Sequence, residues 1–462
     1  SYVPEGWEEV IEPLIELQKR LDAARDREIA ERVARRPPAA GLAFTGARVL
    51  DVEKKRWLAD HTLVVVGDKI TALGPTKTTK PPAGAEVKDL AGKAILPGLW
   101  DMHAHLGQAD GALNVASGVT TVRDLGNNPD RLDDFKKRFD EMSAIGPRVL
   151  RSGFIEGRGE KAAASEVTAE TKEEAAAAVE FYAKRGYEGI KIYNSMKPEL
   201  VPLLAQLAHA KGMRVSGHVP MSMRAEDTVR AGYDEIQHVN MLFLNFFIDK
   251  TTDTRTPLRF SIVADKGPGL DLQSKPVRDF FKLLIDKKIV VDPTVGVFEE
   301  LFVGRPGQPP PGFLPMIERL PVQVQRMFRT GGLVVPEGKD ETYKQAFTKA
   351  LEMIKALYDA KIPIVAGTDS IAGLMLHHEL ELYVKAGIPS GDVLELATIG
   401  AARVMKKDKA MGSLARGKDA DLFVVDGDPL ARIQDLRKVT TVVRGGVVIS
   451  SADLYPTVGV KP

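Results

Sequence analysis

Three rhythms of hydrophobic and polar positions divide the 462-residue chain. Over residues 1–40, Trp7, Ile11, Leu14, Leu17 and Leu21 recur near helical spacing on a highly charged background, and Arg35-Arg36-Pro37-Pro38 stops the pattern. This predicts an N-terminal helical extension, better suited to docking or linking than to catalysis. From Ala43 to Ala94 the rhythm changes to short β-branched runs such as Thr62-Leu63-Val64-Val65-Val66, separated by Gly, Asp and Lys. A matching set returns in Leu422-Phe423-Val424-Val425 and Val439-Thr440-Thr441-Val442-Val443. The economical prediction is one composite β-sandwich domain built from residues 41–95 and 408–458.

Between these flanks, over residues 96–407, strand-like runs alternate with helical stretches such as Thr171 to Arg185, Pro198 to Lys211 and Thr342 to Lys361. Eight candidate strands end near His103, Asp124, Phe154, Tyr193, His218, His238, Thr294 and Asp369. Eight strands with crossover helices predict an α/β fold of the (β/α)8 TIM-barrel class, whose active site lies at the C-terminal strand ends. Two connections, about 240–288 and 296–341, exceed what a barrel needs and are placed to cover or shape a site. Their apolar strings, Met241 to Phe247 and Phe313 to Met316, read as core or subunit interface rather than substrate contact.

Composition narrows the partners. Lys plus Arg (64) balance Asp plus Glu (63), so no net field favours nucleic acid or an anionic membrane, and a small molecule or peptide is the expected substrate. There is no cysteine, which removes disulfides, thiolate metal sites and cysteine nucleophiles together. That is compatible with the bacterial cytoplasm and with export, so the compartment stays open. No 18-residue apolar run predicts a membrane span, and no signal-peptide apolar region is present; the start at Ser1 without Met leaves room for a removed upstream segment.

The chemistry-bearing residues fall at the predicted strand ends. The apolar run from Leu96 stops on His103-Ala104-His105, and in a strand both imidazoles share one face and can grip one metal ion. Alone the pair is a weak signal. In Gly189-Ile190-Lys191-Ile192-Tyr193, alternation turns Lys191 and Tyr193 inward, a poor place for an ordinary ammonium. Such a lysine is either salt-bridged or chemically altered; condensation with carbon dioxide would make it an anionic carbamate able to bridge two metal ions. Val215-Ser216-Gly217-His218 and Glu235-Ile236-Gln237-His238 each end in histidine, and Ile364 to Asp369 ends in a carboxylate. Half of the chain's eight histidines, a lysine and an aspartate therefore gather at five strand ends.

With these residues in place, the chain resembles the amidohydrolase superfamily in its binuclear form with a carboxylated lysine. The resemblance spans roughly residues 43–455 and rests on His103-Ala104-His105, Lys191, His218, His238 and Gly367-Thr368-Asp369. Gly412 to Asp421 resembles the stretch leading back into that superfamily's β domain, while Gly118 to Asp124 and His378-Glu379-Leu380-Glu381-Leu382 are similar to the imidazolonepropionase-related group that includes metal-dependent prolidases. The resemblance implies that His103, His105 and Asp369 hold one metal, His218 and His238 the second, and carboxylated Lys191 bridges them, with water or hydroxide as the other bridge. Imidazole and carboxylate ligands fit zinc, and manganese or cobalt can occupy the same site. Two such cations acidify bound water and polarise a carbonyl. Asp369 would then serve as general base toward the attacking water and general acid toward the leaving amine.

Three further residues enter as substrate contacts. Arg123, closing strand two, suits a substrate carboxylate, with a salt bridge to Asp124 or another barrel carboxylate as the structural alternative. Tyr193 can donate to a developing oxyanion, and Asn194 follows it. After strand eight, His377 is expected in solvent and His378 at a helix start, where with Glu379 it could orient ligands.

These readings predict a hydrolase cleaving an amide bond in a dipeptide or N-acyl amino acid with a free carboxylate, and the resemblance implies a homo-oligomer. A lactonase or phosphotriesterase would use the same site. A scaffold that had lost its chemistry would lack one of the six ligands, and all six are present. A deaminase fits less well, because deaminases of the superfamily usually manage with one metal and carry an acid shortly after the strand-five histidine, where this chain has Val219-Pro220-Met221-Ser222.

Overall fold

A computed structural model describes residues 4–462; the first three residues of the predicted N-terminal extension lie outside the described residues. The first sheet gathers strands from both ends of the chain: β1 (Ala34–Arg35), β2 (Leu42–Asp51), β3 (Arg56–Val66), β4 (Lys69–Pro75), β5 (Glu86–Asp89) and β6 (Ala94–Pro97). The second set, β7 (Leu99–Ala104), β8 (Val119–Asp124), β9 (Arg148–Ile155), β10 (Gly189–Ile192), β11 (Arg214–Gly217), β12 (Glu235–Gln237) and β13 (Val290–Asp292), follows in chain order. The chain then returns to the first sheet with β14 (Leu422–Val425), β15 (Val439–Arg444) and β16 (Val447–Ser450).

The order in the first sheet is β1-β16-β15-β14-β6-β2-β3-β4, with β5 added in parallel to β2. The seam is antiparallel: Phe423 faces Leu96 and Val424 faces Ile95 across β14 and β6. Because side chains alternate, Leu422 and Val424 join Phe44, Leu63 and Ile95 in the sheet's own core, whereas Phe423 turns toward the barrel. At Gly98, between β6 and β7, the backbone passes so close to β8 that a Cβ would stand 1.9 Å from the Thr120 hydroxyl. Only glycine fits there.

β7 to β13 are parallel and hydrogen-bonded in sequence order, with every residue of β7, β8, β10, β12 and β13 buried, as a parallel sheet covered by helices requires. Eight regular strands were expected and seven form. The eighth segment nevertheless closes the ring: Val291 N donates to Pro363 O (2.9 Å) and Val365 N to Val291 O (3.0 Å) on one side, while Met102 N donates to Ala366 O (2.8 Å) and Asp369 N to His103 O (2.9 Å) on the other. It stays irregular because Pro363 has no N–H to give and the run ends in a left-handed Asp369 (φ +45°).

The N-terminal helix runs Ile11–Val33 and stops earlier than the Arg35–Pro38 signal, because Ala34 and Arg35 pair with Ile449 and Val448 at the sheet edge. Both long connections form helices, including Val239–Phe247, Leu258–Lys266 and Val295–Val303, which fold over the C-terminal mouth of the barrel. No helix among the described residues is long and apolar enough to cross a membrane.

Candidate metal centre

The barrel geometry delivers six side chains to one place. His103 ends the inward face of β7 and His105 lies just past it; Lys191 points inward from β10; His218 and His238 directly follow β11 and β12; Asp369 ends the closing segment. Gly217 (φ +152°) lets β11 turn into His218, since a Cβ there would sit 2.0 Å from the Ile192 carbonyl. His238 (φ +69°) and Asp369 are both left-handed non-glycine residues, as is Thr294 (φ +46°), which holds the His238 ring. Such backbone costs on the order of 1–3 kcal/mol per residue and persists where the surroundings over-determine it.

Each histidine is wired the same way. The Nδ1 of His105 donates to Gly126 O (2.7 Å), that of His218 to Asn194 Oδ1 (3.0 Å), and that of His238 to Thr294 Oγ1 (2.7 Å), a hydroxyl whose own proton goes to Pro293 O (2.8 Å). His103 Nδ1 meets Asp292 Oδ2 (2.7 Å), and Lys191 Nζ donates to its Nε2 (3.3 Å). All four rings thus carry a proton on Nδ1 and turn Nε2 toward a common volume, where that of His105 stands 3.4 Å from Asp369 Oδ1. The Nε2 atoms of His218 and His238 stand 2.7 Å apart, two lone pairs that a shared cation would stabilise. Ligand atoms of His103, His105 and Asp369 lie within 4.8 Å of one another. Imidazoles locked by outer oxygens, with a carboxylate among them, are the donor set of a divalent metal centre.

Electrostatics favour neutral rings at His103, His218 and His238, whereas at His105 the contact with Asp369 overcomes burial and raises the imidazole above its ordinary value. Burial holds His103 and His218 well below the usual imidazole range and brings His238 down to about 3. Burial alone would raise Asp369, but the His103, His105 and His238 rings outweigh it and keep the carboxylate ionised. Lys191, 2% exposed and with no carboxylate among the described residues within salt-bridge reach, is brought down to about 8 by desolvation. Part of its amine is therefore free base near neutral pH, the form that condenses with carbon dioxide.

The mouth opens into a cavity of about 670 Å³. Tyr193 lines it, its ring 4.0 Å from that of His218 and 5.0 Å from Phe154, and burial keeps its hydroxyl protonated. Met241, Phe260, Val297 and Phe298 form an apolar wall, so the first long connection supplies pocket as well as core.

Three expectations need correction. Arg123 does not reach the cavity: it is buried one layer below, forking onto Glu235 (Nη1 to Oε2 2.8 Å, Nη2 to Oε1) and donating from Nε to Met102 O (2.9 Å). Asn194, 4% exposed, is absent from the cavity lining and instead orients His218. His377 is buried and its Nε2 donates to Ser117 O (2.8 Å), because the helix Leu374–Lys385 begins inside the protein rather than at its surface. His378 does sit in that helix, bound to Glu299 (2.6 Å), while the neighbouring Glu379 accepts Val295 N (2.8 Å) and Gly296 N (2.7 Å) and so caps the helix that carries Phe298.

Four site residues escaped the sequence reading. Asp292 and Thr294 orient His103 and His238; Asp101 accepts His103 N (3.0 Å) and Thr368 Oγ1 (2.7 Å), tying β7 to the closing segment; Arg259 enters the cavity from the first long connection. Asp292 and Asp101 were within reach, each being a carboxylate in an apolar strand at inward parity. Nothing local marks Arg259.

The amidohydrolase family model matches residues 339–449, a stretch that includes Asp369. Adenine deaminase 2 of Bradyrhizobium sp. is 41% identical over 69 residues, 15% of this chain and 12% of that protein. An uncharacterized protein of Mycobacterium tuberculosis is 30% identical over 188 residues, 35% of this chain and 48% of that protein. The chain therefore spans less than half the length of these curated relatives. Among solved structures, a bottromycin amidohydrolase superposes with a TM-score of 0.71 at 20% identity over 94% of this chain and 91% of that one. A Xaa-Pro dipeptidase with bound methionine gives 0.65 at 20% identity, covering 89% and 100% of the two chains, and a prolidase-like protein from Bifidobacterium longum gives 0.64 at 22% identity, covering 89% and 95%. The family-model match supports the amidohydrolase superfamily, and the structural likenesses show its barrel fold.

Proposed function

We propose that this chain is a metal-dependent hydrolase of the amidohydrolase superfamily that cleaves an amide bond in a small carboxylate-bearing substrate, a dipeptide or N-acyl amino acid. The observation that carries the reading is the wiring of four histidines, each with Nδ1 engaged by an outer oxygen, while Nε2 faces Lys191 in His103, Asp369 in His105 and the other ring in His218 and His238. The prolidase and amidohydrolase names among the proteins of like fold support the reaction class.

His103, His105 and Asp369 would hold one divalent ion, His218 and His238 a second, and Lys191, carboxylated, would lie between them. Zinc fits this donor set, with manganese or cobalt as substitutes. Ions bound there supply acidified water and a polarised scissile carbonyl. Asp369 takes the proton of the attacking water on its free carboxylate oxygen and hands it to the departing amine nitrogen. Tyr193, which keeps its phenolic proton, donates a hydrogen bond to the oxygen of the tetrahedral intermediate. The helix Val295–Val303, capped by Glu379, holds Phe298 at the cavity, its ring 6.5 Å from that of His238, and so gives the site an apolar side.

The test is a substrate panel on zinc- and manganese-loaded protein, comprising dipeptides, N-acyl amino acids, lactones and phosphotriesters, alongside elemental analysis of protein purified without chelator. Amide hydrolysis with bound metal is expected. Turnover confined to lactones or phosphotriesters would replace the reading with the ester-cleaving one, and metal-free protein inert after loading would point to a scaffold.

A further inference from the structure

Apart from the metal-binding cluster, the cavity carries two charged side chains, Arg259 and Glu166. Neither has an ion-pair partner among the described residues, and they do not pair with each other. Their neighbours are otherwise saturated: Arg158 binds Glu174 (2.9 Å), Lys161 binds Asp253 (2.6 Å), Arg255 binds Asp253 (2.9 Å) and Lys197 binds Glu170 (2.9 Å). Two opposite charges left unpaired in one pocket ask for a ligand that carries both.

Arg259 is half-buried. Its guanidinium lies 4.7 Å from the centre of the Phe260 ring and beside the Tyr193 hydroxyl. An aromatic face and a phenol leave the planar fork of donors free for a planar anion, for which a carboxylate is the natural fit. Glu166 is held by one amide: Asn128 Nδ2 donates to its Oε1 (3.0 Å), while Asn128 itself caps the helix Pro129–Asp140 through Arg131 N (3.0 Å). The remaining lone pairs of the carboxylate are open to an ammonium.

Topology separates the two. Glu166 comes from the loop after β9 and Arg259 from the connection after β12, so in an eight-membered ring they enter the mouth three segments apart, with Lys191, His218, His238 and Asp369 opening into the same cavity. Phe154, Met241, Phe260 and Phe298 supply apolar surface to that cavity.

We propose that Arg259 and Glu166 read the two ends of a zwitterionic substrate, Arg259 taking its carboxylate and Glu166 its ammonium. The bond delivered to the metal-binding cluster is then that of a free dipeptide with bulky apolar side chains, in preference to that of an N-acylated amino acid. This rests on the amide-hydrolase reading above and narrows it.

The experiment measures kcat and KM of the zinc-loaded full chain for Phe-Leu, its N-acetyl form, its C-terminal amide and N-acetyl-Lys-Leu, in wild type, Glu166→Gln and Arg259→Gln. The wild type is expected to prefer the free dipeptide over its N-acetyl form by about 5-fold in kcat/KM, the range of a partly exposed ion pair. Glu166→Gln erases that preference through KM. Arg259→Gln costs the free acid about 10- to 100-fold and the amide little, as loss of a charge-assisted fork predicts. A preference for N-acetyl-Lys-Leu that Glu166→Gln removes, with none for the free α-ammonium, would overturn the dipeptide assignment and leave Glu166 reading a lysine side chain. Equal losses on all four substrates in either variant would overturn the proposal while the hydrolase reading stands. Absence of amide cleavage in the wild type would overturn both.

Discussion

Two buried histidine clusters lie within the same barrel and behave in opposite ways. At the mouth, His103, His218 and His238 each have Nδ1 satisfied; Nε2 of His218 and His238 face each other, and that of His103 accepts from Lys191. In the outer cluster, His378 has both nitrogens on carboxylates, Nε2 to Glu299 (2.6 Å) and Nδ1 to Glu381 (3.4 Å), and Arg437 balances Glu381 (2.6 Å). Burial opposes a charge on the ring in both. Without an anion on the second nitrogen His238 falls to about 3, whereas the two carboxylates overcome burial and lift His378 to about 9. What faces the second nitrogen therefore decides whether a buried imidazole offers a lone pair to a cation or holds a proton as part of an ion pair.

Breaking the mouth cluster has the largest expected effect. Lys191→Ala is expected to lose metal at the bridged position and to lower turnover by about 1000-fold or more, read by elemental analysis and by steady-state kinetics on one preparation. Full metal content with wild-type turnover would reject a carbamate at that position.

Arg123 tests the layer beneath. Its removal leaves the buried Glu235 with a single cation, Arg214 Nη2 at 3.5 Å, so Arg123→Ala is expected to cost about 3 kcal/mol in urea unfolding of the metal-free protein. A stable variant that selectively loses acid-ended substrates against their amides would return Arg123 to substrate binding.

The outer cluster can be broken by pH. His378 sits at about 9 against an ordinary value near 6.5, so the stability it contributes is complete below pH 6.5 and is lost as pH rises through 9, on the order of 2–3 kcal/mol for a side chain this buried. His378→Gln should therefore flatten the wild-type decline in stability between pH 6.5 and 9, followed by thermal unfolding across that range. An identical slope in both proteins would show that the ion pair is not the titrating element.

Asp292→Asn sharpens the comparison most gently. It keeps an acceptor for His103 Nδ1 but removes the carboxylate, and should weaken metal binding about 10- to 100-fold in competition with a chromogenic chelator while leaving the His378 pH profile untouched. Unchanged affinity would mean that the orienting charge is idle.

The barrel and the gathering of residues at its mouth were legible in the sequence because strand parity and βα alternation are local patterns, and a closed parallel ring brings C-terminal strand ends together whatever its details. Asp292 carried the same signal as His238 but had no second candidate beside it to attract notice. Arg123 shows the limit: parity says that it points inward, but the stagger between strands sets its depth, and that depth delivers it to Glu235 rather than to the cavity. His377 failed for a related reason, since a helix start reads as exposed unless the packing around it is known.

The sequence by itself determined the two-ended sheet, the alternating barrel and a set of histidines, lysine and aspartate able to bind metal, because each depends on the identity of a residue and its spacing to near neighbours. Tertiary structure alone decided which nitrogen each imidazole presents, which arginine meets the cavity and which carboxylates stay unpaired. Those properties depend on the second partner of each polar group, and across a barrel that partner lies far along the chain: Asp292 is 189 residues from His103, and Glu235 is 112 from Arg123.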